Sequence, residues 1–535
     1  MGIILLFASQ SGAPSQKPGA MTPRASLSGT DAATHVRTGT LAADTSVSGA
    51  RNVPGGVPAL LTKPTVVYEV AFTSPPLTVS PTFVNLSTRL RDEGGLGTTR
   101  GRAYEFNRTE AGTARAVLNN RDAALSPANT SSPYNPLQST RPVRARLQYD
   151  TTYPLFYGIS EGYPQAYPHL GKDALVELAA SDLFYALNQA RFTPGSTTST
   201  DALLALTVED TTQTLNVGST VLPMPQAIPF EITIDTEVMT VRDILSATSY
   251  LVERRLEGSS SHAAGAAVTT LTVSFAEELS GTRIGNVLDA VGFSNQWQDI
   301  DAGQTVMAAS EDLASINPLE HINLIAEAEF GRFFVSRAGV FTFRDRHSII
   351  LDFLTPSMTF RNLPATGTNV PFRIEGALEH SEDKLFNRVR ITIPSGEVVD
   401  VNDPASIVEH FERIFDRSWP YASVNDAEAA AQFILGRSVT HSLRLPRISV
   451  RARVRPSLWP TILARELGDR ATFYYQPEGG GTAIDQEVII EGISHEITAM
   501  EHTVNFQLTE ADSNEYWILG LAGYGELEQT TWVGF

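Results

Sequence analysis

Residues 101–158 read GRAYEFNRTEAGTARAVLNNRDAALSPANTSSPYNPLQSTRPVRARLQYDTTYPLFYG, and the fold is decided there. Val143, Ala145, Leu147 and Tyr149 fall on one side of an extended chain. Arg144, Arg146 and Gln148 fall on the other, the period-two pattern of a half-buried antiparallel strand. Turn residues at Asn119-Asn120, Ser126-Pro127 and Pro133-Tyr134-Asn135-Pro136 break the stretch into short pieces. It closes on Tyr157-Gly158-Ile159-Ser160. A similar plan recurs near the C-terminus: Gly468-Asp469-Arg470 opens a strand, Gly479-Gly480-Gly481 turns it, and the return strand ends at Glu491-Gly492-Ile493-Ser494. The chain therefore builds one small β unit twice.

Outward from this stretch, the alternation of Val66, Tyr68, Val70 and Phe72 with polar neighbours extends the β pattern back to Thr65. Tight turns at even spacing point to a small barrel or sandwich. After it, Lys172–Gln189 carries Leu175, Leu178, Ala179, Leu183, Ala186 and Leu187 near helical spacing and predicts a helix. Residues 195–278 read as a β insert that begins in a Ser/Thr-rich linker. Its strands are expected at Thr214–Val217, Phe230–Ile234 and Glu237–Val241. Ser280 is expected to cap a helix over Arg283–Ala290 with Gly292 just past its end. Asn317-Pro318-Leu319-Glu320 supplies a cap residue, a proline at the first helical position and a glutamate that can reach back. That helix stops at Gly331 and leads into a hairpin, Phe333–Val335 with Val340–Phe343. Further on, Val389, Ile391 and Ile393 alternate in a strand. Helical stretches are expected at Ser406–Phe415 and Asp426–Leu435, then a strand with Ile448, Val450, Ala452 and Val454 on its apolar face.

A chain of 535 residues exceeds one core, so three or four domains are expected. Apolar content of 42 % describes an ordinary globular composition, and no run approaches the ~18 apolar residues needed to span a bilayer. Residues Ile3–Phe7 read as a strand, because MGIILLFA lacks the basic flank of a signal peptide. There is no cysteine, which removes disulfides, thiolate metal sites and cysteine nucleophiles together. The net charge is −19. The first 64 residues hold five cations against two carboxylates, a net of +3, which leaves −22 on the remainder. So acidic a body repels phosphate backbones, and stable nucleic-acid binding is not expected. Residues 1–64 are rich in Gly, Ala, Ser, Thr and Pro and read as an arm, either disordered or pinned along a neighbouring subunit.

The sequence carries no catalytic constellation. His495-Glu496 and Glu501-His502 do not have the spacing of a zinc-binding His-Glu-x-x-His helix and read as surface histidines on hairpin strands. Gly95-Leu96-Gly97 lacks the strand, helix and lysine of a phosphate loop and reads as a flexible turn. Asp299 and Asp301 are adjacent surface acids, whereas a glycosidase needs two carboxylates about 5 to 9.5 Å apart across a cleft. No Gly-x-Ser-x-Gly elbow is present. No catalytic, cofactor-binding or metal residue is assigned, and no enzyme is expected. The arginine stripes Arg144 and Arg146, then Arg451, Arg453 and Arg455, are either solvated or matched to carboxylates on adjacent subunits.

The block from Arg102 to Gly158 resembles the N-terminal part of minor tail proteins of long, non-contractile-tailed bacteriophages, especially those of actinobacterial hosts. The likeness rests on Glu110-Ala111-Gly112-Thr113-Ala114, Leu118-Asn119-Asn120-Arg121-Asp122, Asn129–Tyr134 and Arg141-Pro142-Val143-Arg144, with one extra Asn as a departure. The insert resembles the same family at Ile234–Met239, Arg254–Gly258 and His262–Gly265, as do Asp299–Gly303 and Phe343–Arg346. The resemblance implies a tail-tip, or baseplate, hub made in the host bacterial cytoplasm and carried in the virion. Its fold would be mainly β with α+β parts: an arm at 1–64, a first β-barrel at 65–165 and an α+β domain at 166–360 carrying the 195–278 insert. A second β-barrel at 361–512 with a helical insertion at 403–437, and a tail at 513–535, would complete it. Two barrels per chain in a homotrimer would present six equivalent units to a six-fold tail tube and continue the DNA channel. The implied partners are a distal tail protein or tail tube above, central tip or fibre proteins below, and a tape measure protein in the bore. Two other readings stay open: a distal tail protein in a hexameric ring, with one barrel per chain, and a tail protein that binds the host surface.

Overall fold

The computed structural model describes residues 63–92, 94–102, 108–168, 173–192, 202–203, 214–216, 230–246, 248–254, 261–270, 273–313, 316–351, 356–362, 367–376, 379–381, 385–438, 442–444 and 447–511. The arm up to residue 62, the linker at 195–200, Arg255–Gly258 and the tail from 512 lie outside them.

The described chain is mainly β. Its largest sheet has 14 strands and takes in both halves of the duplicated plan. In the first half, β1 (Thr65–Val70), β2 (Leu96–Gly101), β3 (Glu110–Asn119), β4 (Pro142–Gln148), β5 (Thr152–Ser160) and β6 (Leu175–Ser181) are linked by antiparallel ladders. β1 pairs with β4, β4 with β5, β5 with β6, and β6 with β3. Residues 84–91 complete the circuit. The Leu86 amide donates to the Tyr68 carbonyl at 2.8 Å, and the Arg91 amide donates to the Val117 carbonyl at 2.9 Å.

The second half repeats this with β7 (Thr359–Arg361), β8 (Arg373–Glu375), β9 (Arg447–Val450), β10 (Arg470–Tyr475), β11 (Ile484–Ile497) and β12 (His502–Glu510). β8 pairs with β9, β9 with β12, β12 with β11, β11 with β10, and β10 in parallel with β7. Closure again comes from a short segment. Val370, three residues before β8, donates to the Thr359 carbonyl at 2.8 Å and accepts from the Arg361 amide at 3.0 Å. β2 lies between the halves, pairing with β3 on one edge and with β11 on the other. One apolar core runs through both, from Tyr68, Val70, Val143 and Leu147 to Phe360, Phe473, Ile490 and Phe506. Burial of each such side chain contributes about 1.5–3 kcal/mol.

A second core collects the helices Leu183–Gln189, Ser280–Ala290, Pro318–Ala328 and Val424–Ser438, the hairpin Arg332–Val335 with Phe341–Arg344, and the sheet Val398–Asn402, Arg388–Thr392 and Ile414–Ser418. The 195–278 region holds a third: among the described residues, six strands that pair only with one another around Ile232, Ile234, Met239, Val241 and Val252.

Four local expectations are corrected. Lys172–Gln189 is not one helix, because Leu175–Ser181 is β6, paired along its length from Asn119↔Leu175 to Thr113↔Ser181. Val176, Leu178 and Ala180 face the core, so the stretch fits both periods and the ladder decides. The helix starts only after Asp182, whose carboxylate accepts from the Phe184 amide at 2.9 Å. Ser280 is the first residue of its helix rather than its cap; its hydroxyl donates to buried Glu329 at 2.9 Å. The helix expected at Ser406–Phe415 is Pro404–His410, capped by Asp403, and the chain turns at Phe411 into the strand Ile414–Ser418. The strand expected through Val454 stops at Val450, followed by a 3-10 turn at Ala452–Val454. By contrast, Asn317 accepts from the Leu319 and Glu320 amides as its sequence requires, and the hairpin after Gly331 forms in register.

Candidate functional site

The chemistry of the described chain concentrates where β2 joins the two halves. Gly95 and Gly101 flank this strand at φ of 45° and 101°. A Cβ at Gly101 would stand 2.2 Å from the Glu491 carbonyl, and one at Gly95 would stand 1.8 Å from the Ile497 carbonyl. Gly95-Leu96-Gly97 is therefore the entry to a central strand, with Leu96 1 % exposed, and not a flexible turn. The close approach places Arg100 and Arg102 over β11. Glu491, buried on β11, accepts from Arg102 at 2.7 Å, from Arg332 at 2.7 Å and from the Thr509 hydroxyl at 3.0 Å. Burial alone would push its carboxyl up; the two guanidinium groups outweigh that and hold it well below the usual carboxylate range. Arg100 pairs with Glu466 at 2.7 Å, and Arg337 approaches the same carboxylate at 3.7 Å. First half, middle hairpin and second half thus meet in one buried charged seam.

Next to the seam lies an open cleft of about 330 Å³ between the first half and the middle hairpin. Phe83, Tyr157, Trp297, Arg144, Arg146 and Arg337 are among its lining residues. Arg144 and Arg146 do not wait for another subunit's carboxylate. Both converge on Glu69 across the β1–β4 ladder, each at 2.7 Å, and Arg144 also stacks over Phe83 at 3.9 Å. Two guanidinium groups share one carboxylate, which among the described residues leaves one positive charge in excess at the cleft, where both arginines are about a third exposed.

The other stripe is broken up. Arg451 pairs with Glu501 at 3.0 Å, Arg455 donates to the carbonyls of Gly367 and Asn369, and Arg453 is exposed. Asp299 sits on an edge strand parallel to Phe341–Arg344 and Asp301 just past its end, and Arg344 pairs with both. Among the described residues, no group of three or more His, Asp or Glu could hold a metal, and no helix is long and apolar enough to cross a membrane.

His495 and His502 are not surface residues. They face each other across the β11–β12 hairpin, 7 % and 3 % exposed, with His495 Nδ1 and His502 Nε2 3.1 Å apart. His502 stacks on Trp459 at 4.5 Å. Burial, helped by Arg100 and Arg337, pulls His495 down to about 3; burial, then His495 and Lys63, pulls His502 down as well. The unfolded chain binds protons at these sites below about pH 6.5, whereas the folded chain does not until far lower. Their contribution to stability is therefore present above pH 6.5 and lost as the pH falls, by up to about 1.4 kcal/mol per pH unit for each histidine. In chemical denaturation at pH 7, 6 and 5, a His495→Asn/His502→Phe variant is expected to lose stability less steeply than the natural chain. Equal slopes would contradict this.

Sequence reasoning did not foresee one cluster in the insert. Buried His262 stands between Asp235 at 2.8 Å and Glu237 at 2.9 Å, and Glu237 also pairs with Arg254. Three separate stretches that carry the resemblance meet here, around a two-residue turn at Asp235-Thr236. The mixed charge of these residues in an otherwise apolar β pattern is the signal that could have found them.

No family model and no curated protein matches the sequence. Among solved structures, the chain is similar to a 43 kDa tail protein of prophage MuSo2 from Shewanella oneidensis. Identity is 11 %, the TM-score is 0.43, and the match covers 84 % of this chain and 98 % of that one. It is also similar to a tail protein from Neisseria meningitidis MC58, at 10 % identity and a TM-score of 0.46, over 84 % of this chain and 96 % of that one. A third is the prophage tail protein gp18 from Listeria monocytogenes EGD-e, at 10 % identity and a TM-score of 0.37, over 83 % and 94 %. Identities this low transfer no residue role to this chain.

Proposed function

We propose that this chain is a structural subunit of a phage tail tip, a non-enzymatic hub that adapts a six-fold tube to a three-fold tip. The observation that carries the reading is the pair of hydrogen-bonded circuits in one continuous sheet, each closed by a short segment and joined through β2. We take each circuit as one tube-type barrel, so that three chains line a bore with six equivalent units. The order of the sequence motifs resembling minor tail proteins supports the same assignment. The domain plan that goes with it keeps the two circuits on the bore, including β6 and β7, with the helices and sheets of the second core, among them Arg388–Thr392 and Val424–Ser438, and the insert outside.

Rigidity is what such a hub needs, and the charged seam supplies it. Glu491 binds an arginine from the first half and one from the middle hairpin, so neither can swing without exposing a buried charge. The alternative of a hexameric distal ring asks for one such unit per chain. Counting copies in the assembled ring tests the proposal: three support it, and six favour the distal protein.

A further inference from the structure

Phe411 sits in a backbone conformation that favours glycine, with φ 60° and ψ 167°, and its side chain is 85 % exposed. Val408, one turn back, is 88 % exposed, and Ile414 follows at 42 %. The fold fixes this conformation. Asn387, wholly buried, donates from its side chain to the Phe411 carbonyl at 2.6 Å and accepts from the Arg413 amide at 2.7 Å. Its own carbonyl accepts from the Asp403 amide at 2.9 Å. A strained backbone clamped so as to hold a large apolar side chain out in water marks a contact surface. Beside it stands one carboxylate that is well exposed, Glu409 at 76 %, whereas Glu412 and Asp416 are paired with Arg388 and Arg390.

The cleft between the first half and the middle hairpin has the opposite character. Its walls are aromatic, its arginines carry one surplus positive charge, and Val79 at its mouth is 64 % exposed. We propose that Phe411 and Val408 of one copy insert into this cleft on a second copy, with Glu409 facing Arg144 and Arg146. Knob and socket are different surfaces of the same chain, so the contact is heterologous and closes a ring when the rotation fits. This inference rests on the ring reading and names how neighbours in that ring meet. Burial of one aromatic side chain removes about 150–250 Å² from water. That is the centre of an interface rather than the whole of one, which needs about 1,200–2,000 Å².

Because the chain has no cysteine, introduced pairs report without background. A Phe411→Cys/Val79→Cys variant treated with a short bis-maleimide is expected to give inter-chain products up to the full ring. Either single variant alone is expected to give none. Phe411→Gly suits the φ of 60° and is expected to keep or raise the melting temperature of the single chain while weakening association about 30-fold. A ring that assembles without this cross-link, and is indifferent to Phe411→Gly, overturns the knob and leaves the hub reading standing. A chain that stays monomeric at all concentrations overturns both.

Discussion

Glu491→Ala is expected to lower the unfolding free energy by about 3–5 kcal/mol, the cost of leaving buried charges without their partner. Arg102 and Arg332 are 14 % and 10 % exposed at their side chains, and both lose their carboxylate in this variant. The Thr509 hydroxyl loses its acceptor too. Chemical denaturation at neutral pH measures the effect, and a loss below 1 kcal/mol would contradict it. The pH dependence has a definite sign. The folded carboxyl titrates below its unfolded value, so its contribution is full above the ordinary carboxylate range. It is lost as the pH falls through that range toward the folded value. Glu491→Ala should therefore cost least in acid.

Gly101→Val is expected to be comparably damaging, on the order of 3–6 kcal/mol, by another route. The new Cβ would lie 2.2 Å from the Glu491 carbonyl and 2.7 Å from the Gly492 Cα, and both are backbone atoms that cannot rotate away. The φ of 101° adds strain that no β-branched residue relieves. Relaxation would have to separate β2 from β11, which parts the two halves of the sheet. Circular dichroism on heating should show a lower and broader transition. A variant that melts as the natural chain does would mean that this strand does not couple the halves.

What the sequence disclosed and what it concealed follow one rule. Where a residue's partners are near in the chain, its role was legible. Asn317 capping two amides and the period-two face of Val143, Ala145 and Leu147 are set by neighbours within a few residues. Where partners are distant, local pattern misled. Leu175–Ser181 has enough apolar residues to pass for a helix, and only the ladder to β3, about sixty residues upstream, makes it a strand. Gly95 looked like a turn glycine because the strand that crowds it lies about four hundred residues away. The histidines, seven residues apart on one hairpin, passed for surface residues because the ring that stacks on His502, Trp459, comes from about forty residues upstream. The cleft arginines were visible as a stripe, but their shared use of Glu69 was not.

The central claim is that two like β circuits per chain let three copies imitate six. Native mass measurement of the assembled ring, joined to its image in projection, tests this most directly. The account predicts three chains around a bore whose inner wall repeats six times. Six chains around that bore, or a single repeat per chain along its wall, would contradict it.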